Sequence, residues 1–152
     1  MIFMDNRHRE FYEDCISRTN TVSDPYRKAL FYTLGLTDET RRNINHLYDF
    51  EERGINFDGL FGGFQTSGSL KVTRMAFNLY NGFTGDTGGQ KCDAPDFYSP
   101  YHLYDTGLMA YFFEAAKLRY PEYYQAPTNI APEREGGGSP GRSCKAKDRE
   151  AR

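Results

Sequence analysis

From Ser67 to Asn81 the chain reads SGSLKVTRMAFNLYN, and its apolar residues recur at three- and four-residue intervals. Leu70, Thr73 and Phe77 fall along one stripe. Val72, Ala76, Leu79 and Tyr80 fall along another that Phe83 continues, so a helix here is apolar over a wide arc. A strand would send these side chains alternately to opposite faces. Thr66 or Ser67 supplies an N-cap oxygen, and Asn81-Gly82 supplies a C-terminal stop. The spacing predicts a helix over 67–81 that sits centrally in the packing.

The rest of the chain agrees with a helical fold. Only two Val and five Ile occur beside 12 Phe and 12 Tyr, so core bulk must come from residues other than the β-branched aliphatics that strands favour. Asp5 caps a helix over 6–18, with His8, Phe11, Tyr12, Cys15 and Ile16 at helical spacing. Pro25 begins a helix over 25–34 that Gly35 closes. A third helix is expected over 38–49, with Ile44, Leu47 and Tyr48 inward and Arg41 and Arg42 outward. Residues 51–63 read as a loop held to the core by its phenylalanines, and 84–97 as an exposed Gly/Asp loop. Ser99-Pro100 starts a short helix, and another runs from about 105 to Arg119 with Leu108, Phe112, Ala115 and Ala116 inward. The expected fold is all-α, a compact bundle of five to six helices over 1–125. A flexible, disordered C-terminal tail over 126–152 follows, because its Pro, Gly and mixed charges offer little to offset the entropy of ordering.

Charge narrows the function. The chain has 19 Lys/Arg and 21 Asp/Glu; six and four of these lie beyond residue 125, leaving the domain with 13 and 17. A mildly acidic domain disfavours direct nucleic-acid binding and suits a partner with a basic surface. Three scattered cysteines, Cys15, Cys92 and Cys144, with no CxxC pair fit a reducing compartment. With no signal-peptide pattern and no run of 18 apolar residues, the expected location is the cytoplasm, with no membrane contact.

No motif for catalysis stands out. His8, His46 and His102 lack HxxxH spacing, and His8 and His46 are expected at helix edges. A zinc site would have to gather His46, His102 and Cys92 from distant segments. His46 with Asp49, Glu51, Glu52 and Asp58 is the alternative, a metal-dependent nuclease or other phosphoryl-transfer site, set against a solvated loop. No cofactor or metal is expected. Gly62 to Gly68 resembles a phosphate-cradling turn, making Gln65, Thr66 and Ser67 weak anion-binding candidates, but the GK[ST] ending of a P-loop is missing and a helix cap accounts for the same residues. Seven tyrosines crowd 98–124, more than one helix face can bury. Tyr98, Tyr101 and Tyr104, with the acidic Asp49, Glu51 and Glu52, are the expected protein-binding residues, since tyrosine offers large contact area with few rotatable bonds.

The segments SRTNT at 17–21, RKALFY at 27–32, HLYDFEE at 46–52, GFQTSGSLKVTRMAFNLYNGF at 63–83 and YSPYHLYDTGL at 98–108 resemble a family of short proteins of unknown function from prophages and conjugative elements of Gram-positive gut bacteria. The resemblance covers about residues 5–120, and it carries no catalytic residues over. It implies a mobile-element setting, in which small acidic proteins often block host defence. The expectation it adds is a stoichiometric inhibitor of the anti-CRISPR kind, acting on a Cas9-type effector or its ribonucleoprotein.

Overall fold

A computed structural model describes residues 1–129. Its order is α1 (Asn6–Thr19), α2 (Pro25–Leu34), α3 (Asp38–Arg42), β1 (Tyr48–Asp49), β2 (Gly54–Ile55), α4 (Ser67–Asn81), α5 (Pro100–Leu103) and α6 (Met109–Arg119), with 3-10 turns between several of them. The fold is mainly helical, and its one sheet among the described residues is the hairpin of β1 and β2. The expected tail falls largely on residues 130–152, outside the described residues.

Capping fixes the two best-defined helices. Asp24 accepts from the amides of Tyr26 and Arg27 at the start of α2, and Pro25 fills its first position. Thr66 and Ser69 bond reciprocally at the start of α4, and Gly82 closes it at φ 77°. Both spans match the sequence expectation.

α4 sits centrally, as expected, packing against α2, α3, α5 and α6, and α2 shares that position. Every side chain from Ala29 to Leu34 is buried, because α1, α4 and α6 all pack around this helix. Full burial of a Leu or Phe is worth about 1.5–3 kcal/mol, so this short helix concentrates much of the apolar stabilisation. Its one apparent liability, Thr33, is satisfied by donating to the carbonyl of Ala29. His8 also lies fully buried against α2, where a helix edge was expected.

The helix expected over 38–49 stops at Arg42. Asn43 folds its amide back onto the carbonyl of Glu39, a 3-10 turn over Ile44–His46 follows, and the chain enters the hairpin. Tyr48 pairs with Ile55 and Asp49 with Gly54. Asp49 accepts from the amides of Glu51 and Glu52, a side-chain turn that competes with helix continuation. Arg41 does not point outward as expected; it folds back to pair with Asp38 and to donate to the carbonyl of Gly35 at 2.6 Å. Of the loop phenylalanines, Phe50, Phe57 and Phe64 pack against the core, whereas Phe61 stays exposed.

The segment over 84–97 is exposed for most of its length, as expected, and it is also anchored. Asp86 bridges Lys91, Gly85 is buried, and Asp93 lies inside an arginine–tyrosine clamp: Arg74 donates to it at 2.9 Å and the Tyr98 hydroxyl at 2.8 Å. The last helix begins at Met109 rather than at 105, since residues 105–108 form a bend and a turn and the Thr106 hydroxyl accepts from the Leu108 amide.

Candidate binding face and arginine pocket

The acidic candidates sit together. Asp49, Glu51 and Glu52 are all exposed at the tip of the hairpin, and Arg53 takes the left-handed conformation (φ 60°) that turns the chain back. The Arg53 guanidinium donates to the carbonyl of Thr19 at 3.1 Å.

The tyrosine candidates divide. Tyr101 is 84% exposed and Tyr104 is half-buried against Phe112 and Phe113. Tyr98 is buried, and its hydroxyl is committed to Asp93; burial first, and then the carboxylate beside it, push its pKa up. It holds the 84–98 segment in place and is not available on the surface.

Two of the weak anion candidates, Gln65 and Thr66, are already engaged, while Ser67 stays exposed at the start of α4. Gln65 donates to the Gly59 carbonyl and the Thr73 hydroxyl and accepts from the Ser69 hydroxyl, while Thr66 caps α4. Lys71, the nearest cation in sequence, donates instead to the carbonyls of His102 and Asp105.

His46 is exposed beside Phe64 and shares a cavity of about 200 Å³ with Asn56 and Asp58. Among the described residues no three His, Cys, Asp or Glu side chains are arranged to hold a metal ion. The distant set His46, His102 and Cys92 is therefore not gathered.

Two features escaped the sequence reading. The first is a groove of about 560 Å³ along the outer face of α6 and the residues after it, lined by Ala110, Phe113, Lys117, Tyr120, Tyr123 and Tyr124. Phe113, Tyr120, Tyr123 and Tyr124 are 49%, 39%, 80% and 46% exposed, so a contiguous apolar surface faces solvent. Its rim carries Lys117 paired with Glu114, and the ammonium lies 5.0 Å from the Tyr124 ring centroid. The signal was present in α6 itself, where Phe112 and Ala115 fill the core and Met109 and Phe113 are left exposed on an adjoining face.

The chain belongs to a family of unknown function, DUF6075. The family model matches residues 1–132, a span that reaches beyond the 5–120 resemblance on both sides. No curated protein and no solved structure matches the chain. Among the described residues no helix is long and apolar enough to cross a membrane.

The second feature is a pocket of about 500 Å³ where the start of α2 meets the ends of α4 and α6, lined by Tyr26, Arg27, Tyr80, Asn81 and Arg119. Arg27 is held by three bonds: Nε to the Tyr48 hydroxyl, one Nη to Asp24 and the other to the carbonyl of Arg53. Burial opposes ionisation of Asp24, but the Arg27 side chain and the amides of Arg27 and Tyr26 outweigh it and hold the carboxyl below its usual range. Arg119 lies over the rings of Tyr26 and Tyr120, 3.9 Å and 4.5 Å from their centroids, and its Nε donates to the carbonyl of Leu79. Burial pushes the Tyr80 phenol up, while Arg27 pulls it down.

Proposed function

We propose that the chain is a protein-binding module that works stoichiometrically, with the α6 groove as its docking surface and a protein as its occupant. The groove carries this reading. An apolar groove rimmed by polar groups is a common form of interaction site, and Tyr and Phe are enriched in the cores of interfaces. The acidic hairpin tip of Asp49, Glu51 and Glu52 supplies attraction to a basic partner surface, which mainly raises the rate of encounter. Tyr101, the most exposed of the expected tyrosines, adds contact area outside the groove.

For the class of partner, the resemblance to mobile-element proteins supports a host defence complex, with a Cas9-type effector or its ribonucleoprotein as the first to test. The test is co-purification of the full chain with such effectors, with and without guide RNA, and titration of effector activity against inhibitor. Inhibition that saturates near equimolar ratio, and that weakens in Phe113→Ser and in Tyr123→Ala, is the expected result. Absence of binding to any such complex overturns the partner class. Binding that both groove variants leave intact overturns the docking surface, and concentration-dependent dimerisation lost in both assigns the groove to a second copy of the chain.

The alternative, a metal-dependent nuclease using His46 and nearby carboxylates, requires ligands converging on one ion. The hairpin instead holds Asp49 by its own backbone turn, with Glu51 and Glu52 exposed at its tip.

A further inference from the structure

We propose that the pocket between α2, α4 and α6 is a binding site for a small phosphate monoester, with Arg119 as its principal anion contact. Four arginines among the described residues are half-buried: Arg27, Arg41, Arg74 and Arg119. The first three each pair with an aspartate, Asp24, Asp38 and Asp93 respectively. Arg119 forms no ion pair within the described residues, although its position is fixed by two tyrosine rings and by the bond to Leu79. A guanidinium carries five N–H donors, so with Nε satisfied, those on its two terminal nitrogens have no acceptor in the described fold. Partly desolvated cations normally have a counter-charge, and here the cavity stands where one would sit.

The other lining groups complete a donor set. Arg27 keeps N–H groups beyond its three bonds, and the hydroxyls of Tyr26 and Tyr80 make no hydrogen bond in the described residues. The lining groups come from three helices, α2, α4 and α6. That arrangement satisfies the terminal oxygens of a tetrahedral phosphate better than the single plane of a carboxylate. The volume of about 500 Å³ leaves room for an organic body beyond the phosphoryl group. The aromatic walls already stacked on Arg119 add a flat apolar border for it.

The experiment is calorimetric and NMR titration of the full chain with inorganic phosphate, ribose 5-phosphate, adenosine monophosphate and acetate, reading the Arg119 side-chain Nε–H resonance. None of these probes involves a protein partner, so failure here leaves the docking reading untouched, and failure of that reading leaves this one untouched. Expected are saturable binding of the esters, an affinity that falls as salt rises, and a shift of the Arg119 resonance. Arg119→Met, which keeps the aliphatic stem, should lower affinity tenfold or more. Tyr80→Phe, which removes one hydroxyl and should leave thermal unfolding unchanged, should lower it severalfold. Ester binding above phosphate binding assigns the organic body; equal binding reduces the site to the phosphoryl group alone. No binding by the wild-type chain at millimolar ligand, equal binding of acetate, or affinities unchanged in both variants overturns the proposal.

Discussion

The Nε2 of His8 lies 2.8 Å from the carbonyl oxygen of Tyr32, deep between α1 and α2. The Met4 amide approaches the other ring nitrogen, Nδ1, at 3.1 Å. A backbone N–H can only donate, so Nδ1 is the acceptor and Nε2 carries the proton that Tyr32 receives. The ring is neutral, and it ties the segment before α1 to α2, aided by the Tyr32 hydroxyl donating to the carbonyl of Ile2 at 2.6 Å.

Burial pushes the His8 pKa below its usual value and the cation of Arg41 adds to this, against the pull of the Tyr32 carbonyl and of Asp5. The unfolded chain takes up its proton near the ordinary histidine value of about 6.5, while the folded chain resists. The stabilising contribution is therefore complete above that pH and is lost as pH falls through the lower folded value. Urea unfolding at pH 7.5 and pH 5 should show this loss, and His8→Gln should flatten it. The substitution should also cost about 1–3 kcal/mol at pH 7.5 if it strands the two backbone groups. An identical pH dependence in the variant would refute the assignment.

Asp93 bonds to Arg74, to Tyr98 and, at 3.0 Å, to the amide of Ala94, with its side chain only 6% exposed. Removing one partner of such a pair leaves the other charge desolvated. Asp93→Ala should cost about 3 kcal/mol by chemical denaturation. Double-mutant cycles with Arg74→Met should give a coupling energy well outside additivity; strict additivity would remove the clamp.

Gly85 adopts φ 100°, and a Cβ placed there would collide with the carbonyl of Asp93. Its own carbonyl accepts from the amides of Cys92 at 2.7 Å and Asp93 at 3.0 Å. Gly85→Ala should destabilise by at least about 1–2 kcal/mol, since both the conformation and the space forbid the methyl. Amide exchange should accelerate first at Cys92 and Asp93, with α1 and α2 unaffected.

Cys15 is buried at the interface of α1 with the core, and burial pushes its thiol up to about 12. The thiolate is the reactive form, so the native chain should keep Cys15 unmodified by iodoacetamide at pH 8. Cys92 is less buried and should be alkylated first of the two; peptide mass spectrometry distinguishes them. Rapid native labelling of Cys15 would show that α1 opens far more often than its packing implies.

Helix positions were readable from the sequence wherever caps and periodicity coincided. Asp24 with Pro25 and Thr66 with Gly82 mark α2 and α4 to the residue. The full burial of α2 was not readable, because Thr33 interrupts its apolar run and a six-residue stretch with no exposed face leaves no pattern to compare. The hairpin over 48–55 was missed since two paired positions per strand leave no alternation to detect. Anchoring of the 84–98 segment depends on Arg74, nineteen residues before Asp93, and local polarity says nothing of that. For the site, exposure of Asp49, Glu51, Glu52 and Tyr101 agreed with the pattern of charge and aromatics. The arginine pocket draws its wall from three helix ends, so no stretch of sequence contains it.

The enclosure of α2 sets an order on biogenesis. Its walls come from α1, which is made before it, and from α4 and α6, the last of which ends at Arg119. While the chain emerges from the ribosome, a helix rich in Leu, Phe and Tyr must wait some 75 residues for its final neighbour. During that interval it is a natural substrate for a nascent-chain chaperone, and the native state can close only after Met109–Arg119 has left the exit tunnel.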